Sequence, residues 1–284
     1  MRCRSARRSA FTLIEMLVVT IIIGILIGLV SVAVMSAIER AKNTVRYNEA
    51  RQMANALQTM STGYASFPPA NLAVSGDDDF NAPVAKWFAR NYPRYIQGTS
   101  PTARVAILRA DLLAAGAPTT FDPSFALVFW LVGFDPDSEH PLNGHAARMT
   151  GANRKDWKFE FDPARLLNKR YLMPGGGALF DDKNGNSAPD LATEKYRAYI
   201  YFDSGSYGTP YAGFSPYKIG AAATDLYFDP DTCQVICAGR DNVLGSGGAP
   251  PGPAVPYSGF DSDNIASFGG GNTMLDFIEK VKNQ

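Results

Sequence analysis

An apolar run near the N-terminus is the feature that most restricts how this chain can fold. From Met16 to Met35 the sequence contains no charged residue, and such a run is long enough for one membrane-spanning helix at about 1.5 Å per residue. Basic residues precede the run with no acidic residue among them, at Arg2, Arg4, Arg7 and Arg8. By the positive-inside bias, we expect a cytoplasmic N-terminus and a remainder that faces outward.

One carboxylate lies at the start of this apolar environment. Glu15 stands in the segment AFTLIEMLVV, where every neighbour is apolar or uncharged. An ionised side chain in the hydrocarbon core costs about 2.5–3.5 kcal/mol even on lenient insertion scales. Either an opposite charge compensates this cost, or the side chain reaches the interface near the helix end.

The helical pattern continues past the apolar run as an amphipathic stretch over residues 36–62, which we expect to end near Ser61. One face of this stretch is predicted to carry Ile38, Ala41, Val45, Met53, Ala56, Leu57 and Met60. A secretory signal cleaved after residues 31–33 gives no reason for this continuation. A plain membrane anchor leaves Glu15 unexplained.

The segment RRSAFTLIEMLVV resembles the class III signal of type IV pilins and type II secretion pseudopilins. In that family a basic leader and a small residue precede an F-T-L-I-E block. The resemblance implies a leader over residues 1–10, cleavage by prepilin peptidase between Ala10 and Phe11, and N-methylation of Phe11. The family usually has Gly where this chain has Ala10. The resemblance also implies that Glu15 pairs with the freed amine of a neighbouring subunit as the apolar helices, here residues 11–35, stack into a filament.

Helical patterns precede strand patterns in the rest of the chain, which predicts an α+β fold with an antiparallel sheet packed on the long helix. We expect one pilin-like soluble domain over residues 63–284, with a helical insertion over about 80–170. One helix is predicted over about 104–115. Another is favoured over a strand in FDPSFALVFWLVGF, capped by Asp122 and buried on all sides because it is apolar all round.

Strand candidates occupy about residues 196–268. YRAYIYFD, residues 196–203, alternates in a way that predicts a strand with one covered face, and LYFDP, QVICAG and NIASF are shorter candidates. The chain has 3 cysteines, too few for a disulfide scaffold. Cys233 and Cys237 stand at the two ends of a predicted strand, about 13 Å apart and beyond bridging distance.

Two C-terminal segments, AGRDNVLGSG and FDSDNIASF, resemble a degraded form of the calcium loop of major pseudopilins. The ligands implied by this resemblance are Asp241, the backbone carbonyl of Leu244, Asp261 and Asp263. Oxygen ligands of this kind suit calcium. The chain departs from the family pattern at Asn242, where Gly is expected, and in a Pro/Gly-rich insertion between the two segments. The interpretation requires no cofactor, and calcium is its one candidate.

A second acidic loop, FDDKNGNSAPD, begins like an EF-hand loop. Asp182, Asn184 and Asn186 stand at alternate positions. Ser187 then replaces the required Gly and Thr193 the bidentate Glu, so a polar turn is the better interpretation.

Catalytic motifs are not found in the sequence. The two histidines, His140 and His145, lie in the Pro/Gly-rich loop DPDSEHPLNGH, which lacks the helical spacing that brings zinc ligands together. No G-x-S-x-G turn, P-loop or dinucleotide fingerprint occurs.

Loss of the leader leaves 23 basic and 27 acidic residues, a net charge of −4, which argues against nucleic acid as a partner.

These patterns predict a non-enzymatic filament subunit of a type II secretion pseudopilus. We expect a single-pass protein of the bacterial inner membrane with its C-terminal domain in the periplasm. Its expected partners are prepilin peptidase, other pilin or pseudopilin subunits, an inner-membrane assembly platform and lipid. The alternatives are a minor or adhesive type IV pilin and, from a different class, a membrane-tethered periplasmic binding or hydrolytic module whose site would be the loop of His140.

Overall fold

The computed structural model describes residues 13–64, 66–70, 83–95, 100–116, 122–174, 196–220, 226–248, 257 and 259–282. Within them lie the helices α1 (Leu13–Gly63), α2 (Pro83–Asn91), α3 (Pro101–Ala114), α4 (Pro123–Leu131), α5 (His145–Met149) and α6 (Met274–Lys282). The strands are β1 (Leu166–Leu167), β2 (Arg170–Tyr171), β3 (Ile200–Asp203), β4 (Cys233–Cys237) and β5 (Ile265–Ala266). The chain divides into two compact units, Met1–Lys42 and Asn43–Gln284.

The long helix α1 ends at Gly63, close to the end expected from the sequence. Its buried residues are Arg46, Ala50, Met53, Leu57 and Met60. They alternate at spacings of four and three, which is the stripe that a helix needs in order to pack on a core. The predicted face was wrong at its N-terminal end: Ile38, Ala41 and Val45 are exposed, whereas Arg46 is only 6% exposed. Arginine can take this place because its aliphatic stem packs like an apolar side chain.

Helix α4 is buried along its whole length, as its apolar sequence predicts. Asp122 caps it, accepting hydrogen bonds from the backbone N–H groups of Ser124 and Phe125, both at 2.9 Å. Proline follows at the first helical position, where its missing N–H costs nothing. The indole of Trp130 donates to the carbonyl of Pro69 at 3.0 Å, which satisfies the polar atom of this buried ring. The prediction of a helix is therefore confirmed.

The strands form antiparallel pairs. β1 and β2 make a short hairpin in which Leu166 lies opposite Tyr171. The main sheet has the order β3-β4-β5, with Ile200 opposite Ile236 and Ile236 opposite Ala266. Together with the helices that precede it, this sheet confirms the α+β fold with a long N-terminal helix.

Strand β3 differs from its sequence pattern because both of its faces are covered. All four of its residues are buried, so the expectation of one covered face was wrong. The hydroxyl of Tyr201 donates to the carbonyl of Pro68 at 2.5 Å on one side, and Phe202 stacks on Phe214 on the other, with ring centroids 6.1 Å apart. The tyrosines of this segment can be buried because their hydroxyl groups find hydrogen-bond partners while their rings pack in the core.

The remaining strand candidates are shorter than expected. QVICAG and NIASF contribute β4 and β5, whereas LYFDP makes a single bridge, between Tyr227 and Lys218. Cys233 and Cys237 are both free and buried in β4, which confirms that they do not form a disulfide. Burial raises the pKa of Cys237 to about 12, so its thiol stays protonated and unreactive at neutral pH.

A partly buried ion pair fixes the outer half of α1 to the sheet. The guanidinium of Arg165 donates to both carboxylate oxygens of Glu49, at 2.5 and 2.7 Å. Tyr199 donates to the same carboxylate at 2.6 Å, and the guanidinium carbon lies 4.4 Å from the ring centroid of Tyr171. Bidentate geometry and a third donor make this the strong form of an ion pair. It joins α1 to the β1–β2 hairpin and to the residues that lead into β3.

Candidate functional site

The first unit of the chain is an exposed apolar helix. In the described part of the chain, α1 is the one helix long and apolar enough to cross a membrane, and none of the residues in its most apolar window is buried. Leu13, Leu29 and Val32 are 86%, 68% and 72% exposed. A soluble protein rarely exposes so much contiguous apolar surface, which instead marks contact with lipid or with other helices.

The two hydroxyl side chains of the apolar run donate hydrogen bonds to the backbone of their own helix. Thr20 donates to the carbonyl of Leu17 at 2.9 Å, and Ser31 donates to that of Ile27 at 2.7 Å. These internal bonds remove the cost of placing a hydroxyl in hydrocarbon.

Glu15, in the first turn of α1, is the one charged residue between Leu13 and Ile38. A carboxylate at a helix N-terminus is favoured by the helix dipole.

Both glycines of the apolar run, Gly24 and Gly28, are free of contacts with other described parts of the chain. An ideal Cβ placed on Gly24 or Gly28 meets no heavy atom within 4 Å, so both glycines lie on open surface where another helix can approach closely. The leader over residues 1–10 and the predicted cleavage point between Ala10 and Phe11 lie outside the described residues.

The C-terminal turns bring together two of the four predicted calcium ligands. Asp263 accepts hydrogen bonds from the backbone N–H groups of Arg240 and Asp241, at 2.6 and 3.2 Å, through one carboxylate oxygen. Its other oxygen is buried and has no hydrogen-bond partner. Burial raises the pKa of Asp241, and the neighbouring Asp263 carboxylate raises it further, against the N–H of Val243. Two acidic groups therefore lie side by side here with one oxygen unused.

The other two predicted ligands are engaged elsewhere. Asp261 accepts from the backbone N–H of Gly247 at 2.8 Å and from the hydroxyl of Tyr217 at 3.1 Å. Burial raises the pKa of Asp261, and the N–H groups that it accepts oppose this shift. The carbonyl of Leu244 accepts from the side-chain amide of Asn264 at 2.7 Å. Within the described residues, no group of three or more His, Cys, Asp or Glu side chains is placed to hold a metal ion.

The sequence did not indicate the residues that hold these turns in place. Asn264 is fully buried and links the carbonyl of Leu244 to the hydroxyl of Tyr217, to which it donates at 2.7 Å. Gly245 has φ +75°, and a Cβ there would lie 2.7 Å from a carboxylate oxygen of Asp261. Only glycine combines this backbone conformation with so close an approach. Gly245 is the exception among these residues, because a glycine in an acidic turn is a pattern that can be recognised in the sequence.

The two histidines lie in different environments. His140 is exposed, whereas His145 is fully buried, with its Nε2 atom 3.0 Å from the carbonyl of Phe129. Burial lowers the pKa of His145 to about 3, so the ring is neutral and Nε2 carries the proton. The acidic loop of Asp182, Asn184 and Asn186 lies outside the described residues.

Comparison with known proteins bears on the N-terminal segment. Residues 5–36 match the family model of the prokaryotic N-terminal methylation motif. No curated protein matches the chain, and no solved structure matches it. The match includes Arg7 and Arg8, the F-T-L-I-E block with Glu15 and the apolar run from Met16 to Met35. The chain thus carries the prepilin signal of type IV pilins and type II secretion pseudopilins.

Proposed function

We propose that this protein is a non-enzymatic filament subunit of a type II secretion pseudopilus. The observation that carries the proposal is the match of residues 5–36 to the methylation motif. The exposed apolar helix with one carboxylate in its first turn supports it, because such a helix gains from stacking against copies of itself. Proteins with this motif are structural subunits, which supports the absence of an enzymatic role.

The proposal includes a path from membrane to filament. Prepilin peptidase removes residues 1–10 and methylates Phe11, while the apolar helix keeps the subunit in the inner membrane with its C-terminal domain in the periplasm. An inner-membrane platform then transfers the subunit into the filament. There, Glu15 of one subunit pairs with the terminal amine of another, which compensates the carboxylate and sets the register.

Processing predicts the N-terminus of the mature protein. Mass spectrometry of the protein from host membranes is expected to find a chain that starts at N-methylated Phe11 and keeps its apolar helix. Deletion of the prepilin peptidase gene should return the full-length form. A mature chain that starts at Met1, or that starts after residue 33, would contradict the proposed pathway.

Two other functions compete with the pseudopilus. A minor or adhesive type IV pilin would share the N-terminal processing. The phenotype of a gene deletion therefore distinguishes a pilin from a pseudopilin. Deletion of a pseudopilin gene should abolish export of secreted enzymes and leave surface pili intact, whereas deletion of a pilin gene should do the reverse. A membrane-tethered binding or hydrolytic module would need no methylated N-terminus.

We also propose calcium binding at Asp241 and Asp263. The buried, unpartnered carboxylate oxygen of Asp263 supports this proposal, because a cation would supply the partner that the oxygen lacks. The raised pKa of Asp241 shows a carboxylate that burial destabilises in its charged form. A bound cation would favour that charged form.

Calcium is therefore expected to stabilise the domain. At a concentration about 100-fold above Kd, binding contributes about 2.7 kcal/mol, which raises Tm by about 5 °C or more for a domain of this size. Thermal unfolding with 5 mM calcium, magnesium or EDTA measures the effect. Asp263→Asn should remove the calcium response, whereas Asp231→Asn, on an exposed residue outside these turns, should keep it. An unchanged Tm in wild-type protein would refute calcium binding.

A further inference from the structure

A cavity of about 680 Å³ lies beside the loop that contains both histidines. Its polar lining residues are Tyr95, Asp111, His140, Asn143 and His145. Alanine and leucine side chains, contributed by the C-terminal end of α3 and by the loop around α5, form much of the remaining wall. A cavity of this volume, in which polar groups converge beside apolar side chains, is large enough for a small molecule.

The wall formed by the histidine loop is held firmly from behind. Arg148, only 3% exposed, donates to the carbonyl of Asn143 at 2.7 Å. The same guanidinium lies 3.5 Å from Asp135 and 3.6 Å from Asp156. Gly144, with φ +67°, allows the tight turn that leads into α5. The backbone of this wall is therefore held in place before any ligand arrives, which lowers the entropic cost of binding.

The polar groups of the cavity have unused hydrogen-bonding capacity. Tyr95 donates to one oxygen of Asp111 at 2.6 Å, and within the described residues no donor reaches the other oxygen. His145 is fully buried, with its Nε2 atom 3.0 Å from the carbonyl of Phe129, so this ring forms part of the wall and does not contact a ligand. Neither the ring of His140 nor the amide of Asn143 makes a side-chain hydrogen bond to any described residue. A ligand can thus meet acceptors and donors side by side.

The charges of the lining select among ligand classes. The described lining residues include one carboxylate, that of Asp111, and no lysine or arginine. An anion would lose its hydration without gaining a cationic partner. The carboxylate already accepts the hydroxyl of Tyr95, so the described lining offers a cation only one carboxylate, which is already engaged in a hydrogen bond. Uncharged hydroxyl groups, which donate and accept together, match this lining best.

We propose that this cavity binds a neutral, hydroxyl-rich ligand of the size of a mono- or disaccharide. Hydroxyl groups of the ligand donate to Asp111 and exchange hydrogen bonds with Asn143 and His140, while its C–H surface packs on the alanine wall. The site lies wholly within the second unit of the chain. It is independent of the proposed filament role, because N-terminal processing and assembly can fail or succeed without it.

Saturation-transfer NMR on the full-length protein tests this assignment. The protein is kept in a detergent without a sugar headgroup, and the probes are D-glucose, D-galactose and N-acetyl-D-glucosamine at 10 mM, with putrescine as the cationic comparison. At least one sugar is expected to show saturation transfer from wild-type protein, with putrescine showing none. Transfer to none of the three sugars, or to putrescine alone, would overturn the proposal.

Matched variants locate the binding. Asp111→Asn keeps an acceptor for Tyr95 but removes the charge, and it should weaken sugar binding at least tenfold. Asn143→Ala changes an exposed side chain whose backbone carbonyl is still held by Arg148, and it should weaken binding at least threefold. Asp231→Asn, outside the cavity, should stay within twofold of wild type. Circular dichroism melts confirm that each variant folds. Equal sugar affinity in all three variants would exclude this cavity as the site.

Discussion

Glu15→Ala is expected to reduce filament assembly at least tenfold while leaving membrane insertion and removal of residues 1–10 unchanged. The alanine helix is more apolar, so insertion does not suffer. Assembly suffers because the proposed partner of Glu15, the terminal amine of a neighbouring subunit, would be left in an apolar environment without its opposite charge. Breaking such a pair by removing one partner costs about 3–5 kcal/mol.

The measurement is the amount of subunit in sheared or cross-linked filaments, compared with the amount in membranes. Glu39→Ala is the matched control, because Glu39 is the next carboxylate along the helix and lies 2.9 Å from Lys42 within its own chain. It should assemble normally. Glu15→Gln separates charge from polarity, since it keeps the size and the hydrogen-bonding atoms but not the charge. Wild-type assembly by Glu15→Ala would refute the pairing.

Asp122→Ala is expected to lower the free energy of unfolding by about 3–5 kcal/mol. The carboxylate caps α4 and also forms an ion pair with Arg170, whose Nε lies 3.0 Å from one oxygen. Asp122 is 7% exposed. Burial is the largest single influence on Arg170 and would lower its pKa, but the charge of Asp122, the hydrogen bond with Asp122 and two neighbouring tyrosines together raise the pKa. Without Asp122, a partly buried guanidinium would lose its counter-charge and α4 would lose its cap.

A second capping aspartate provides the control for this prediction. Asp162 accepts the N–H of Ala164 at 3.0 Å at the start of a 3₁₀ turn, but it is exposed. Asp162→Ala should cost only about 0.5–2 kcal/mol, the usual cost of losing a cap. Thermal and chemical unfolding of the two variants, followed by circular dichroism, gives the comparison. Equal destabilisation would mean that the ion pair with Arg170 contributes nothing measurable.

The sequence predicted those elements whose cause is local. Helix α4 has its cap, its proline and its apolar residues in one continuous segment, so Asp122 and Pro123 mark its start without any knowledge of the core. The apolar half of α1 is equally local. The buried side of its second half was harder to assign, because Val45 and Arg46 differ by one position and only the packing against the domain decides which of them is buried.

Long-range contacts determine what the sequence could not show. The two covered faces of β3 depend on Pro68 and Phe214, each remote in the chain. The predicted calcium ligands divided into two pairs because Tyr217 and Asn264 reach them from other segments. Likewise, the cavity joins Tyr95 and Asp111 to a loop about thirty residues later, and no spacing rule relates these segments. The composition of the histidine loop marks it as a candidate site in the sequence. Only the fold shows that Tyr95 and Asp111 lie beside it.

The ion pair between Glu49 and Arg165 has a mechanical consequence for any protein that is pulled by its N-terminal helix. An axial load on α1 enters the domain through residues 46–60, the buried stripe of the helix, and contacts arranged along the direction of pulling share that load in shear. The bidentate pair lies near the start of this stripe. It would therefore share the load with the apolar contacts at the end of the stripe where the force enters, and so help to keep the helix bound to its domain.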